Sequence, residues 1–79
     1  MNDYQDRIEV NPKILLGKPV VRGTRIPIYV ILNLLAQGKP TDYILKEYPD
    51  LEKDDITASL QFAAQAVNFK EEFFDTGHA

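Results

Sequence analysis

The stretch Gly17-Lys18-Pro19-Val20-Val21-Arg22-Gly23-Thr24-Arg25-Ile26-Pro27-Ile28 decides how the rest of the chain is read. A proline disfavours a helical conformation at the residue before it, so neither Lys18 nor Ile26 belongs inside a helix. Between the two prolines, Val20-Val21 is a short β-branched pair, and Arg22-Gly23-Thr24-Arg25 has the composition of a turn. At Gly23 the chain is expected to adopt a backbone conformation that a Cβ would resist, which re-aims the flanking arginines. Upstream, Ile8-Glu9-Val10 has a similar character. The segment before Pro27 is therefore expected to hold two or three short strands.

From Pro27 onward the pattern turns helical. Pro27 suits a first helical position, Ile28, Ile31 or Leu32 and Leu35 share one face, and Gly38 suits the residue just past the end. Thr41 is a candidate N-cap with Asp42 in the first turn of a second, short helix, whose stripe Ile44, Leu45 and Tyr48 is stopped by Pro49. A third helix, the longest element, is expected to start near Glu52 with Asp54 and Asp55 in its first turn. It should bury Ile56, Leu60, Ala63 and Val67, with Ser59, Phe62 and Phe69 alongside. The short connection from Tyr48 to Lys53 sets helices two and three at a tight angle, as in a helix-turn-helix, although a plain helical hairpin has the same sequence signature.

Length and composition limit what such a fold can do. With 79 residues the chain forms one domain, and a single core of this size supplies only about 3–5 kcal/mol. The chain has no cysteine, so oligomerisation is the remaining way to add core. The absence of thiols and the solitary His78 argue against a zinc finger, a thiol nucleophile or a Ser-His-Asp triad. No apolar run reaches the roughly 18 residues of a membrane span. Asp3, Asp6 and Glu9 make the first residues unlike a signal peptide, so a soluble, cytoplasmic protein is expected.

The formal net charge of −3 is unevenly distributed. Residues 10–28 carry Lys13, Lys18, Arg22 and Arg25 with no acid, whereas residues 29–79 set four lysines against nine carboxylates. A phosphate-binding surface is therefore expected near the N-terminus, on Lys18, Arg22 and Arg25. The third helix begins Glu52-Lys53-Asp54-Asp55, which suits the helix dipole but repels DNA phosphates. The pairs Asp54-Asp55 and Glu71-Glu72 are adjacent on a helix and so diverge by roughly 100°, which removes them as hydrolytic carboxylate pairs. Gly17-Lys18 is followed by Pro19, which lacks an N–H that a phosphate-cradling loop needs. No catalytic residue, metal ligand or cofactor site is expected. The tail 71–79 combines Glu71 and Glu72 with Phe73 and Phe74, a pattern suited to a partner with a basic groove and an apolar pocket. The alternative is that the two aromatic rings fold back over the small core.

The stretch 17–28 also resembles the bacterial family known as domain of unknown function 433, whose pattern is Gly-x-Pro-x-x-x-Gly-Thr-Arg-Ile-Pro. The family's later features correspond to Ile28 to Gly38, Thr41 to Pro49, and Asp55-Ile56 followed by Leu60 and Ala63. The resemblance covers about Ile8 to Val67. It implies a mainly α fold: a three-helix, homeodomain-like helix-turn-helix bundle preceded by a short β-arm, commonly dimeric. On that basis residues 1–70 form the domain, with the arm over 7–26 and the helices over 27–69. The resemblance further implies a VapB-like antitoxin of a type II toxin-antitoxin pair, which neutralises a PIN-like ribonuclease toxin and, with it, binds its own promoter. Many relatives have Thr or Ser where this chain has Glu52, which weakens a groove-reading role for helix three. The expected partners are a second copy of the chain, the toxin through Glu71, Glu72, Phe73 and Phe74, and DNA through Lys18, Arg22 and Arg25. The alternatives are a stand-alone helix-turn-helix DNA-binding transcriptional regulator and a purely structural dimerisation module.

Overall fold

The computed structural model describes residues 6–74, with side chains from Asp6 through Asn68. It is mainly helical. Two strands, β1 (Ile8–Glu9) and β2 (Val20–Val21), precede three helices: α1 (Ile28–Ala36), α2 (Thr41–Glu47) and α3 (Lys53–Phe74). The strands pair antiparallel, Ile8 with Val21 and Glu9 with Val20, and Pro27 forms a further antiparallel bridge to Val20.

Local chemistry accounts for the arm. Thr24 N–H donates to Val21 O at 3.0 Å, closing a four-residue turn, and Gly23 in its third position has φ +83°. The Thr24 hydroxyl locks both ends of this turn, donating to Val21 O at 2.7 Å and accepting from Ile26 N–H at 3.0 Å. Val21 N–H returns to Ile26 O at 3.0 Å and Ile28 N–H to Pro19 O at 2.9 Å, so the chain enters α1 already tied to β2.

Each helix end has an identifiable cause. Pro27 and Pro40 occupy the N-cap positions of α1 and α2 in extended conformation, so α1 begins at Ile28, one residue later than the sequence pattern suggests, while the α2 cap falls at Pro40, one residue before Thr41. Their carbonyls accept the first helical bonds, from Val30 N–H at 3.1 Å and Ile44 N–H at 3.2 Å, and Thr41 is the first residue of α2, one position past the cap. α1 ends in a Schellman motif: Gly38 with φ +86° donates to Leu35 O at 2.9 Å and Lys39 donates to Leu34 O at 3.0 Å.

The buried hydrophobic residues are Ile8, Val20, Val21, Ile28, Ile31, Ile44, Leu51, Ile56 and Ala58. All five elements contribute, so the arm is part of the core. Leu51 precedes the α3 N-cap and Ile56 is the fourth residue of that helix; both sit in this cluster, the arrangement of a hydrophobic staple. α3 departs from expectation. Its buried positions are Asp55, Ile56, Ala58 and Ser59, with Phe62 and Ala63 half-buried, whereas Leu60 is 49% and Val67 62% exposed. The helix also runs on to Phe74, past the expected end at residue 69. From Ala64 to Asn68 every side chain is exposed.

Candidate functional site

Two sites of opposite charge flank the arm. At the first, the N-terminus of α3 gathers Glu52, Asp54 and Asp55 around one guanidinium, that of Arg7. Arg7 Nη1 lies 3.0 Å from Glu52 Oε1 and 3.0 Å from Asp55 Oδ1, and Nη2 lies 3.4 Å from Asp54 Oδ2. Asp55 is buried at 5% exposure, and its second oxygen accepts the Glu52 backbone N–H at 2.7 Å. This is the returning half of a capping box, supplied by the third helical residue and independent of the N-cap side chain. It explains why α3 starts cleanly at a glutamate: the Glu52 side chain is left to bind Arg7. The hydrogen bonds from Arg7 to Glu52 and then to Asp55 raise its pKa above the ordinary arginine value, so it stays cationic wherever the fold exists.

A cleft of about 360 Å³ opens here, bordered by Asp6, Arg7, Arg22, Asp50, Glu52 and Asp55. Four of these six are carboxylates, so the cleft is anionic. Among the described residues no group of three or more His, Cys, Asp or Glu is arranged to hold a metal ion. Arg7, which sequence reasoning passes over, is the organising residue of this end of the fold. Its signal is a single base in an otherwise acidic N-terminal segment.

The second site is the outer surface of the arm. Lys18 and Arg25 are exposed, and Lys18 Nζ lies 5.8 Å from the ring centroid of Tyr29, itself half-exposed. Arg22 instead serves the arm itself. Its Nε donates to Asp6 O at 3.1 Å and its Nη2 to Ile8 O at 3.2 Å, holding the N-terminal strand. Of the three residues expected to meet phosphate, Lys18 and Arg25 therefore present their charge outward, and Arg22 binds backbone carbonyls. Lys13, Lys18 and Arg25 form no ion pair with a carboxylate among the described residues. Between Lys13 and Lys18 the chain turns through left-handed backbone at Leu15 (φ 49°) and Leu16 (φ 60°), and Leu16 is 93% exposed. Both angles are costly for a residue with a Cβ.

The backbone of α3 includes positions 71–74, but the side chains of Glu71, Glu72, Phe73 and Phe74 lie outside the described residues, as do Asp75 to Ala79. No helix among the described residues is long and apolar enough to cross a membrane.

The family described as protein of unknown function DUF433 matches residues 8–63, which span the arm, α1, α2 and the buried half of α3. The chain belongs to the DUF433 family. A crystal structure of a DUF433 member from Anabaena variabilis ATCC 29413 superposes with a TM-score of 0.74 at 28% identity, covering 86% of this chain and 67% of that one. The uncharacterized protein y4eO of Sinorhizobium fredii (strain NBRC 101917 / NGR234) is 38% identical over 53 residues, 67% of this chain. The chain spans only 24% of the length of y4eO. The DUF433 match ends at Ala63, close to where α3 leaves the core.

Proposed function

We propose that this DUF433 protein is a non-catalytic binding module, the antitoxin of a type II pair, which docks on and neutralises a PIN-like ribonuclease and regulates its own promoter. The observation that carries the reading is the division of charge. Lys18 and Arg25 stand outside the ion pairs of the fold, while the carboxylates gather on the helical side around a single arginine. An acidic helical half complements a basic RNA-binding nuclease, accelerates their encounter and blocks the surface that RNA needs. At the end of α3, Phe73 and Phe74 would add apolar anchors, and Glu71 and Glu72 negative charge. The chain acts as a homodimer, which places two arms on one DNA duplex. Co-purification with the product of the neighbouring gene tests the partner assignment, using the full chain and a chain ending before Lys70. The reading predicts a stable complex that truncation weakens at least about tenfold; equal retention by the truncated chain removes the tail from the interface.

A second reading, a stand-alone transcriptional regulator, draws on the exposed cations and the strained, protruding Leu15-Leu16 turn of the arm. It predicts that the homodimer alone binds its promoter DNA. Replacing Arg25 or Lys18 by Ala should then lower the slope of log affinity against log salt by about 1 for each phosphate no longer neutralised. Gel-shift titrations across salt concentrations measure this directly, and an unchanged slope in both variants rules out phosphate binding by the arm.

A further inference from the structure

Among the described residues, every side chain of α3 from Ala64 to Asn68 is exposed. The helix spans 22 residues, about 33 Å at 1.5 Å per residue, yet among its described residues the last buried position is Ser59. Beyond it Leu60 and Val67 stand two turns apart on one face, exposed at 49% and 62%, with Ala63 and Ala64 between them. Helices in proteins owe most of their stability to packing of an apolar face, and among the described residues Leu60, Ala64 and Val67 of this face stay exposed.

Charge identifies what covers it. From Ile56 to Phe69 fourteen consecutive residues carry no charge, although the chain holds 21 charged side chains elsewhere. A different partner steered to an acidic protein would meet carboxylates, and this face offers none. Two copies of the chain, each at −3, repel one another generally, and an uncharged face is where that repulsion is least. We infer that this face binds the same face of a second copy, with the two α3 helices crossing antiparallel about a two-fold axis between Ala63 and Ala64. In such a pair each residue meets the one equidistant from the axis on the other copy. Leu60 then packs against Val67 of the copy at both ends, while Ala63 opposes Ala64 at the crossing, where small side chains allow close approach. Gln61, Gln65 and Asn68, all exposed and uncharged, form the rim. This inference rests on the homodimer of the functional reading and adds the surface that forms it.

Sedimentation velocity of the full chain, from about 1 to about 100 µM, tests the inference beside Leu60→Lys and Val67→Lys variants. A dimer is expected for the parent chain, and a dissociation constant raised at least about tenfold in each variant, with far-UV circular dichroism unchanged. A parent chain that stays monomeric overturns both the face and the homodimer. Dimers that persist in both folded variants overturn the face and leave the homodimer standing. If a variant unfolds, Ala64→Cys decides, since the chain has no other thiol. Placed beside the axis, two such thiols should be joined by a short bis-maleimide at low protein concentration, and absence of the cross-link overturns the inference.

Discussion

Replacing Asp55 by Ala is expected to lower the unfolding free energy by about 2 kcal/mol, from two losses that coincide at one carboxylate. The Glu52 N–H loses its acceptor at 2.7 Å, which uncaps α3, and Arg7 loses the buried anion among its three partners. In a domain whose whole core supplies about 3–5 kcal/mol, that is close to half of the margin. The melting temperature should fall by about 10 °C, measured by circular dichroism. Asp55→Asn keeps an acceptor for the cap and loses the charge, so it should fall between parent and Ala variant. Arg7→Ala should destabilise in the same direction, and the double variant should be less destabilised than the two single effects combined, because both break the same ion pair. A shift under about 2 °C for Asp55→Ala would show that the cap is dispensable.

The consequence reaches past stability. Arg7 precedes β1, and Glu52 to Asp55 open α3, so this cluster fastens the arm to the helix against which a partner would register. Loosening it should free the chain ahead of β1 first, since Ile8, Val20 and Val21 hold the rest of the arm in the core shared with Ile28, Ile31 and Ile44.

How much of this was legible in the sequence depended on how local its cause was. The turn at Gly23 and Thr24 and the stop at Gly38 arise from bonds spanning a few residues, and the residue types disclose them; the strands at Ile8 and Val20 pair across 11 to 13 residues, and their β-branched residues mark them. The helix starts shift by one residue in opposite directions: Pro27 caps α1 instead of opening it, and Pro40 stands at the cap expected of Thr41, which becomes the first helical residue. Arg7 was missed because its partners lie 45 to 48 residues away, beyond any periodic signal. Leu60 and Val67 were assigned to the core on sound helical spacing. Spacing, however, shows that a face is apolar and is silent on whether the same chain covers it. Arg22, grouped with Lys18 and Arg25 by composition, separates from them once its bonds to the carbonyls of Asp6 and Ile8 are seen.

The antitoxin assignment makes the other large prediction. If the acidic helical half occupies the RNA-binding surface of the nuclease encoded beside it, adding the protein should abolish cleavage at one chain per nuclease. The inhibition should weaken as salt rises, since exposed charges more than about 10 Å apart are screened at 0.1 M. Carboxylate-to-amide substitution at the exposed Glu52 and Asp54 should raise the concentration needed, while leaving Asp55 to cap α3.

The most direct measurement is therefore a titration of the full chain against that nuclease, following cleavage of a fluorescent RNA at low and at physiological salt. The account predicts a stoichiometric end point with no residual cleavage at low salt. Undiminished cleavage in the presence of excess protein would contradict it.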